Sequence, residues 1–161
     1  VRSSFRLVAV TALATLAVTL LPACSQAVPM KPAEDATNPD CAEIIVRLPQ
    51  SIDDFAQRET NAQATGAWGD PAAILLRCGV PVPGPSTLPC FTIQGVDWLR
   101  DSSEAPIYKF VTFGRDPAVE VVIDGDRASS SALSALGNAV GSLPATKECL
   151  AAEDVFGDED Q

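Results

Sequence analysis

The chain has no histidine among its 161 residues. That removes the commonest general base, the Ser-His and Cys-His nucleophile pairs and nearly all catalytic zinc sites. Aromatic residues make up only 6%, so a core has to be assembled mainly from Val, Ile, Leu and Ala. Basic residues are also scarce, 11 against 21 acidic ones, for a formal net charge of −10. A surface of that sign repels phosphate backbones and anionic lipid heads, which argues against nucleic-acid binding and electrostatic adsorption to membranes. No Cys-x-x-Cys spacing occurs, so a cysteine zinc site lacks its usual pattern. The longest apolar run, Leu7 to Leu21, is fifteen residues. As a helix it spans about 22 Å, short of the roughly 30 Å hydrocarbon core.

What is present at the start reads as an export signal. Val1 reads as a GTG start. Arg2 and Arg6 form a basic n-region, Leu7 to Leu21 an h-region, and Leu21-Pro22-Ala23-Cys24 follows. This tetrapeptide resembles the lipobox of bacterial lipoproteins, with Leu three before the cysteine and a small residue just before it. Pro22 is a less usual occupant of the middle position. The resemblance implies diacylglyceryl transfer to the Cys24 thiol, cleavage after Ala23, and attachment to the outer face of the cell membrane. Loss of Arg2 and Arg6 with residues 1–23 leaves nine basic and 21 acidic residues, a net charge of −12. Any hold on the membrane is then covalent or through another protein.

Residues 24–39 carry Pro29, Pro32 and Pro39 without hydrophobic period and read as a disordered or polyproline-like tether. Extended, they reach on the order of 45 Å. Residues 40–150 read as one small globular unit, and 151–161 as an acidic tail, frayed from Glu148 onward. Asp40 with Glu43 matches a capping box, predicting a helix from Cys41 to Leu48 that Pro49 stops. Gln50 to Gly66 is polar and reads as a loop. Strands are expected at Ala73–Cys78, Phe91–Ile93, Val96–Leu99, Ile107–Phe113 and through Val119, Val121 and Ile123. Leu133, Leu136, Val140 and Leu143 form one stripe of a helix from Ala132 to Leu143, with Ser129, Ser130 or Ser131 as cap. The expected fold is α+β: a small antiparallel sheet of four to five strands, packed on one face by two helices and stapled by disulfides. Trp68-Gly69-Asp70-Pro71-Ala72 echoes Phe113-Gly114-Arg115-Asp116-Pro117-Ala118, a repeat that turn chemistry explains without duplication.

Besides Cys24 there are four cysteines, Cys41, Cys78, Cys90 and Cys149. An even number in an oxidising location favours two disulfides with three connectivities open. The preferred pairing is Cys78–Cys90, closing the Pro/Gly loop, with Cys41–Cys149 joining the ends of the globular part.

Three stretches carry a family likeness: AWGDPAAILLRCGVP at 67–81, GVDWL at 95–99 and FGRDPAVEV at 113–121. With the lipobox they resemble an actinobacterial lipoprotein family catalogued as domain of unknown function 3515, over residues 40 to 149. The resemblance implies an envelope location and a common small fold, with no assigned activity and no residue roles to carry over.

Candidate functional residues are few. Trp68, in an expected turn, is a candidate for ligand stacking, and Trp98 for core packing. Arg77 and Arg115 flank strands, where each could bind a carboxylate or phosphate but pairing with a nearby Asp is the favoured reading; Arg115 is retained as a candidate binding residue. Asp124-Gly125-Asp126 lacks the remaining ligands of a calcium loop and reads as a turn. No catalytic residue, metal ligand or cofactor is assigned. The leading expectation is a non-enzymatic envelope protein, anchored through lipid on Cys24, that binds an envelope protein partner. The alternatives are a small-ligand or lipid-binding module, needing a cavity between sheet and helices, and a carboxylate-dependent cell-wall hydrolase. The last needs two acids about 5–9.5 Å apart, for which Asp70, Asp97 and Asp116 are the candidates.

Overall fold

The computed structural model describes residues 26–150. Cys24, the export signal and the acidic tail lie outside them. In order the elements are α1 (Pro39–Ile45), β1 (Ser51–Ile52), β2 (Phe55–Arg58), β3 (Thr65–Trp68) and β4 (Ile74–Val80). They continue with β5 (Cys90–Ile93), β6 (Val96–Glu104), β7 (Ile107–Thr112), β8 (Ala118–Asp124) and α2 (Ser131–Val140). No helix among the described residues is long and apolar enough to cross a membrane.

The sheet corrects the expected four to five strands: it has eight, in the order β1-β2-β3-β4-β8-β7-β6-β5. Every neighbouring pair is antiparallel. The chain makes one four-stranded meander, crosses from the centre to the far edge through the proline-rich segment after Val80, and meanders back. The three additional strands fall largely within the stretch read as a loop. Their sequences explain why. β2 is Phe-Ala-Gln-Arg and β3 is Thr-Gly-Ala-Trp, without the β-branched alternation that marks a half-buried strand. Small residues in β3 answer a packing need: a Cβ on Gly66 would stand 2.9 Å from both Leu48 and the Trp68 ring.

Alternation on the central strands separates two faces. Ile74, Leu76 and Cys78 on β4 share the inner face with Val119, Val121 and Ile123 on β8. Both helices cover it. Leu133, Leu136 and Val140 of α2 and Ile44 of α1 are fully buried there beside Trp68 and Trp98. Each such side chain contributes roughly 1.5–3 kcal/mol of burial. α1 starts earlier than the capping box implies. Asn38 is its cap, accepting from the Asp40 amide at 3.0 Å, and Pro39 takes the first turn, where its missing N–H costs nothing. Glu43 instead pairs with Arg47 one turn on. α2 ends at Val140, three residues before the predicted limit.

The disulfides join Cys41 to Cys78 and Cys90 to Cys149, each with Cα atoms 5.6 Å apart. This corrects the preferred pairing of Cys78 with Cys90 and Cys41 with Cys149. The reason is strand order: β8, β7 and β6 stand between β4 and β5. Four strand spacings separate the two strands by roughly 19 Å, well beyond the reach of a disulfide. Cys78 also faces inward, whereas Cys90 lies opposite Leu99 on the outer face. The first bond fixes α1 to the sheet; the second fixes the C-terminal segment to the β5 edge.

The expected free tether is also corrected over residues 26–38. Val28 makes a parallel bridge to Thr60, donating to the Glu59 carbonyl at 2.8 Å and accepting from Asn61 at 3.2 Å. Asn61 Oδ1 takes the Met30 amide, and Arg58 Nη2 reaches the Gln26 carbonyl at 3.0 Å. At the other end Asp35 donates to the Gly79 carbonyl, and Ala36 is buried. Gly79 has φ +91°, and a Cβ there would collide with the Asp35 backbone. Pro29 and Pro32, which suggested disorder, thus lie in a strap hydrogen-bonded to the sheet at both ends, and Pro39 opens α1.

Candidate functional site

The outer face of the sheet is only partly covered, and that is where the candidate site lies. Pleat alternation brings Leu75 and Arg77 of β4, Glu120 and Val122 of β8, Lys109 and Val111 of β7, and Leu99 and Asp101 of β6 to this side. Two walls rise from it. One is the strap at Pro29–Lys31; the other is the segment Val80–Leu88, which carries Pro81, Pro83 and Pro85. Between them runs a half-open groove with two lobes, about 430 Å³ on the loop side and about 330 Å³ on the strap side. The lobes meet at Lys109 and Glu120, which line both.

The loop-side lobe is mainly apolar, with Val80, Leu99 and Val111 at its base and the exposed Val82 and Leu88 on its lip. Charge is concentrated where the lobes meet. Arg77 Nε and Nη2 both donate to Glu120 Oε1, at 2.9 and 2.7 Å, and Glu120 is buried. Arg77 was expected to pair with a nearby Asp; its partner is instead Glu120 on the neighbouring strand. Lys109 makes no ion pair among the described residues. Asp101, opposite Lys109, is held below the usual carboxylate range chiefly by hydrogen bonds from the Ser103 side chain and amide, with Lys109 adding a smaller pull. An apolar trough with two lysines, Lys31 and Lys109, outside any ion pair among the described residues suits an extended, mainly apolar segment carrying a carboxylate.

The residues singled out from sequence lie elsewhere. Trp68 is not in a turn: it ends β3, is fully buried, and its indole N–H donates to the Pro49 carbonyl at 2.9 Å. That corrects its candidacy for ligand stacking. Trp98 is core, as expected, although its Nε1 has no partner among the described residues. Arg115 is also corrected. It is buried, with Nη2 donating to the Gly95 carbonyl at 2.8 Å and Nη1 to the Leu143 carbonyl. Burial lowers its pKa, opposed by nearby Asp97. Arg115 therefore braces the chain after α2 against the β5–β6 turn instead of offering a charge to a ligand.

The three aspartates are not assembled into a site. Asp70 pairs with Arg58 at 2.9 Å, and Asp97 accepts from Thr92 and from the Cys149 amide. Asp116 is exposed in the β7–β8 turn, and the groove contains none of the three. Asp124 accepts from the Asp126 amide, closing a turn. No metal-ligating cluster occurs among the described residues. Sequence reasoning missed Lys109, Glu120 and Asp101. The available signal was a charged residue at the outward position of a strand that is otherwise apolar.

No curated protein and no solved structure matches the chain. The family model described as Protein of unknown function (DUF3515) matches residues 4–148, and the chain belongs to that family.

Proposed function

We propose that this is an exported lipoprotein, anchored to the outer face of the cell membrane through Cys24, that acts by binding an envelope protein partner rather than by catalysis. The observation that carries the binding reading is the groove on the outer sheet face. Its occupant is an extended, largely apolar segment of the partner, with an acidic side chain placed to meet Lys109. Two disulfides among the described residues support an oxidising location, and the lipobox supports the anchor. The small-ligand alternative gains nothing: Trp68, Trp98, Leu76, Val121, Leu133 and Leu136 fill the space between sheet and helices. A carboxylate hydrolase gains no support: Asp70 is committed to Arg58, Asp97 to Thr92 and the Cys149 amide, and Asp116 lies outside the groove.

The test is site-specific photocrosslinking in cells. A photoreactive residue is placed at Val82 or Leu88 on the groove lip, or at Val46, which is exposed beside α1. The expected result is one envelope protein captured from both lip positions, absent from Val46 and lost with Cys24→Ala. Identical capture patterns from all three positions would end the groove reading.

A further inference from the structure

The packed strap changes what the anchor does. We propose that the chain is seated directly on the lipid surface, with the edge of the sheet carrying β1 and β2 nearest the bilayer, instead of swinging on a tether. The inference rests on the reading that Cys24 carries lipid.

Gln26 is the second residue after Cys24, so the two are separated by at most about 7 Å of chain. The Gln26 carbonyl is held by Arg58, which also contacts the Gly69 carbonyl and pairs with Asp70. Two residues on, Val28 is bridged to Thr60. Slack between lipid and sheet is therefore one or two residues, where a free tether to Pro39 would provide on the order of 45 Å.

Residues 26 to 30 run parallel to β2, so going back toward Cys24 leads to the end of the strands where the β1–β2 and β3–β4 turns lie. Asp54 sits in the first of these turns and is exposed. Asp116 sits at the opposite end of the strands, between β7 and β8, and is exposed too. Strand spacing of about 4.8 Å and a rise of about 3.3 Å per residue put it on the order of 25 Å from Gln26.

Asp53, Asp54 and Asp70 share the near end, where anionic headgroups repel them. Attraction therefore does not create the contact; the short covalent link and the strap's hydrogen bonds do, and salt should not release it. The consequence for the groove is direct. Its strap wall, Pro29–Lys31, adjoins the anchor, so the groove opens close to the headgroups and favours a partner segment emerging from the same membrane.

The experiment uses the full lipidated chain in vesicles of phosphatidylcholine and phosphatidylglycerol doped with a headgroup nitroxide lipid. A small dye is attached at position 54 or 116 through a genetically encoded azide. Flotation with the vesicles, lost with Cys24→Ala, reports the anchor; a chain that does not float overturns the anchor and the seating together. For a floating chain, several-fold stronger quenching at 54 than at 116, unchanged by salt, is expected. Equal quenching at both positions would overturn the seating while leaving the anchor intact. Arg58→Ala combined with Val28→Pro removes the strap's hold near the anchor and should level the two values. A difference that survives this variant unchanged would also contradict the proposal.

Discussion

The two meanders share a plan and differ in how they are secured. In the strand order, β4 and β8 lie side by side at the centre, and each meander runs outward from them to its own edge. Each central strand is entered through an aromatic-glycine-to-Asp-Pro-Ala turn, Trp68 to Ala72 before β4 and Phe113 to Ala118 before β8. The aspartate of the first turn is met from outside by Arg58. The second turn carries its own arginine, Arg115, buried against Gly95 and Leu143. The N-terminal half is closed by α1, the strap and a fully buried disulfide; the C-terminal half by α2 and a half-exposed one. Equivalent turns thus tolerate different bracing, provided the inner faces of β4 and β8 stay apolar.

The largest effects should come from the tryptophans, which sit on the inner faces of opposite halves. Trp68→Ala and Trp98→Ala are each expected to cost about 3–5 kcal/mol in denaturant unfolding. The phenylalanine variants separate them. Trp68→Phe also orphans the Pro49 carbonyl, for about 1–3 kcal/mol more than Trp98→Phe, which breaks no hydrogen bond. Equal losses would show that the halves are braced alike.

Next come the disulfides. Loops of 37 and 59 residues give about 4 kcal/mol each in the chain-entropy model. Their access differs, so titration with a mild thiol followed by alkylation and mass spectrometry should open Cys90–Cys149 before Cys41–Cys78. Simultaneous opening would mean that reduction requires global unfolding.

A smaller difference separates the two arginine pairs. Arg77→Gln leaves the buried Glu120 unpaired and should cost about 2 kcal/mol, between surface and buried pairs. Arg58→Gln gives up the pair with the exposed Asp70 together with donations to the Gly69 and Gln26 carbonyls, and should cost about 1 kcal/mol, water reaching most of the freed partners. The smallest effect on stability belongs to Val82→Ser on the groove lip, within about 0.5 kcal/mol, although it should weaken partner crosslinking.

The halves also differed in legibility. In the C-terminal half, Val119, Val121 and Ile123 alternate, and Leu133, Leu136 and Val140 repeat at helical spacing, so β8 and α2 are visible in the chain. In the N-terminal half, β3 conveys almost nothing through Thr65-Gly66-Ala67, and Trp68 beside Gly69 reads as a turn. β2 is polar because it lies toward an edge. The cysteine pairing depended on strand order, which local pattern does not encode: Cys78 and Cys90 are twelve residues apart yet four strands distant. The groove was hidden for the same reason. Arg77, Lys109 and Glu120 each interrupt an apolar strand visibly, but only the register of β4, β8 and β7 brings them together.

The intact mass of the full-length protein extracted from membranes, with and without reduction, tests the lipid anchor and the disulfides together. The expected product is a chain beginning at Cys24 with a diacylglyceryl addition. Peptide mapping before reduction should give Cys41–Cys78 and Cys90–Cys149, and reduction should add four hydrogens. A chain that retains residues 1–23, or that is recovered without lipid from the soluble fraction, would contradict the anchor.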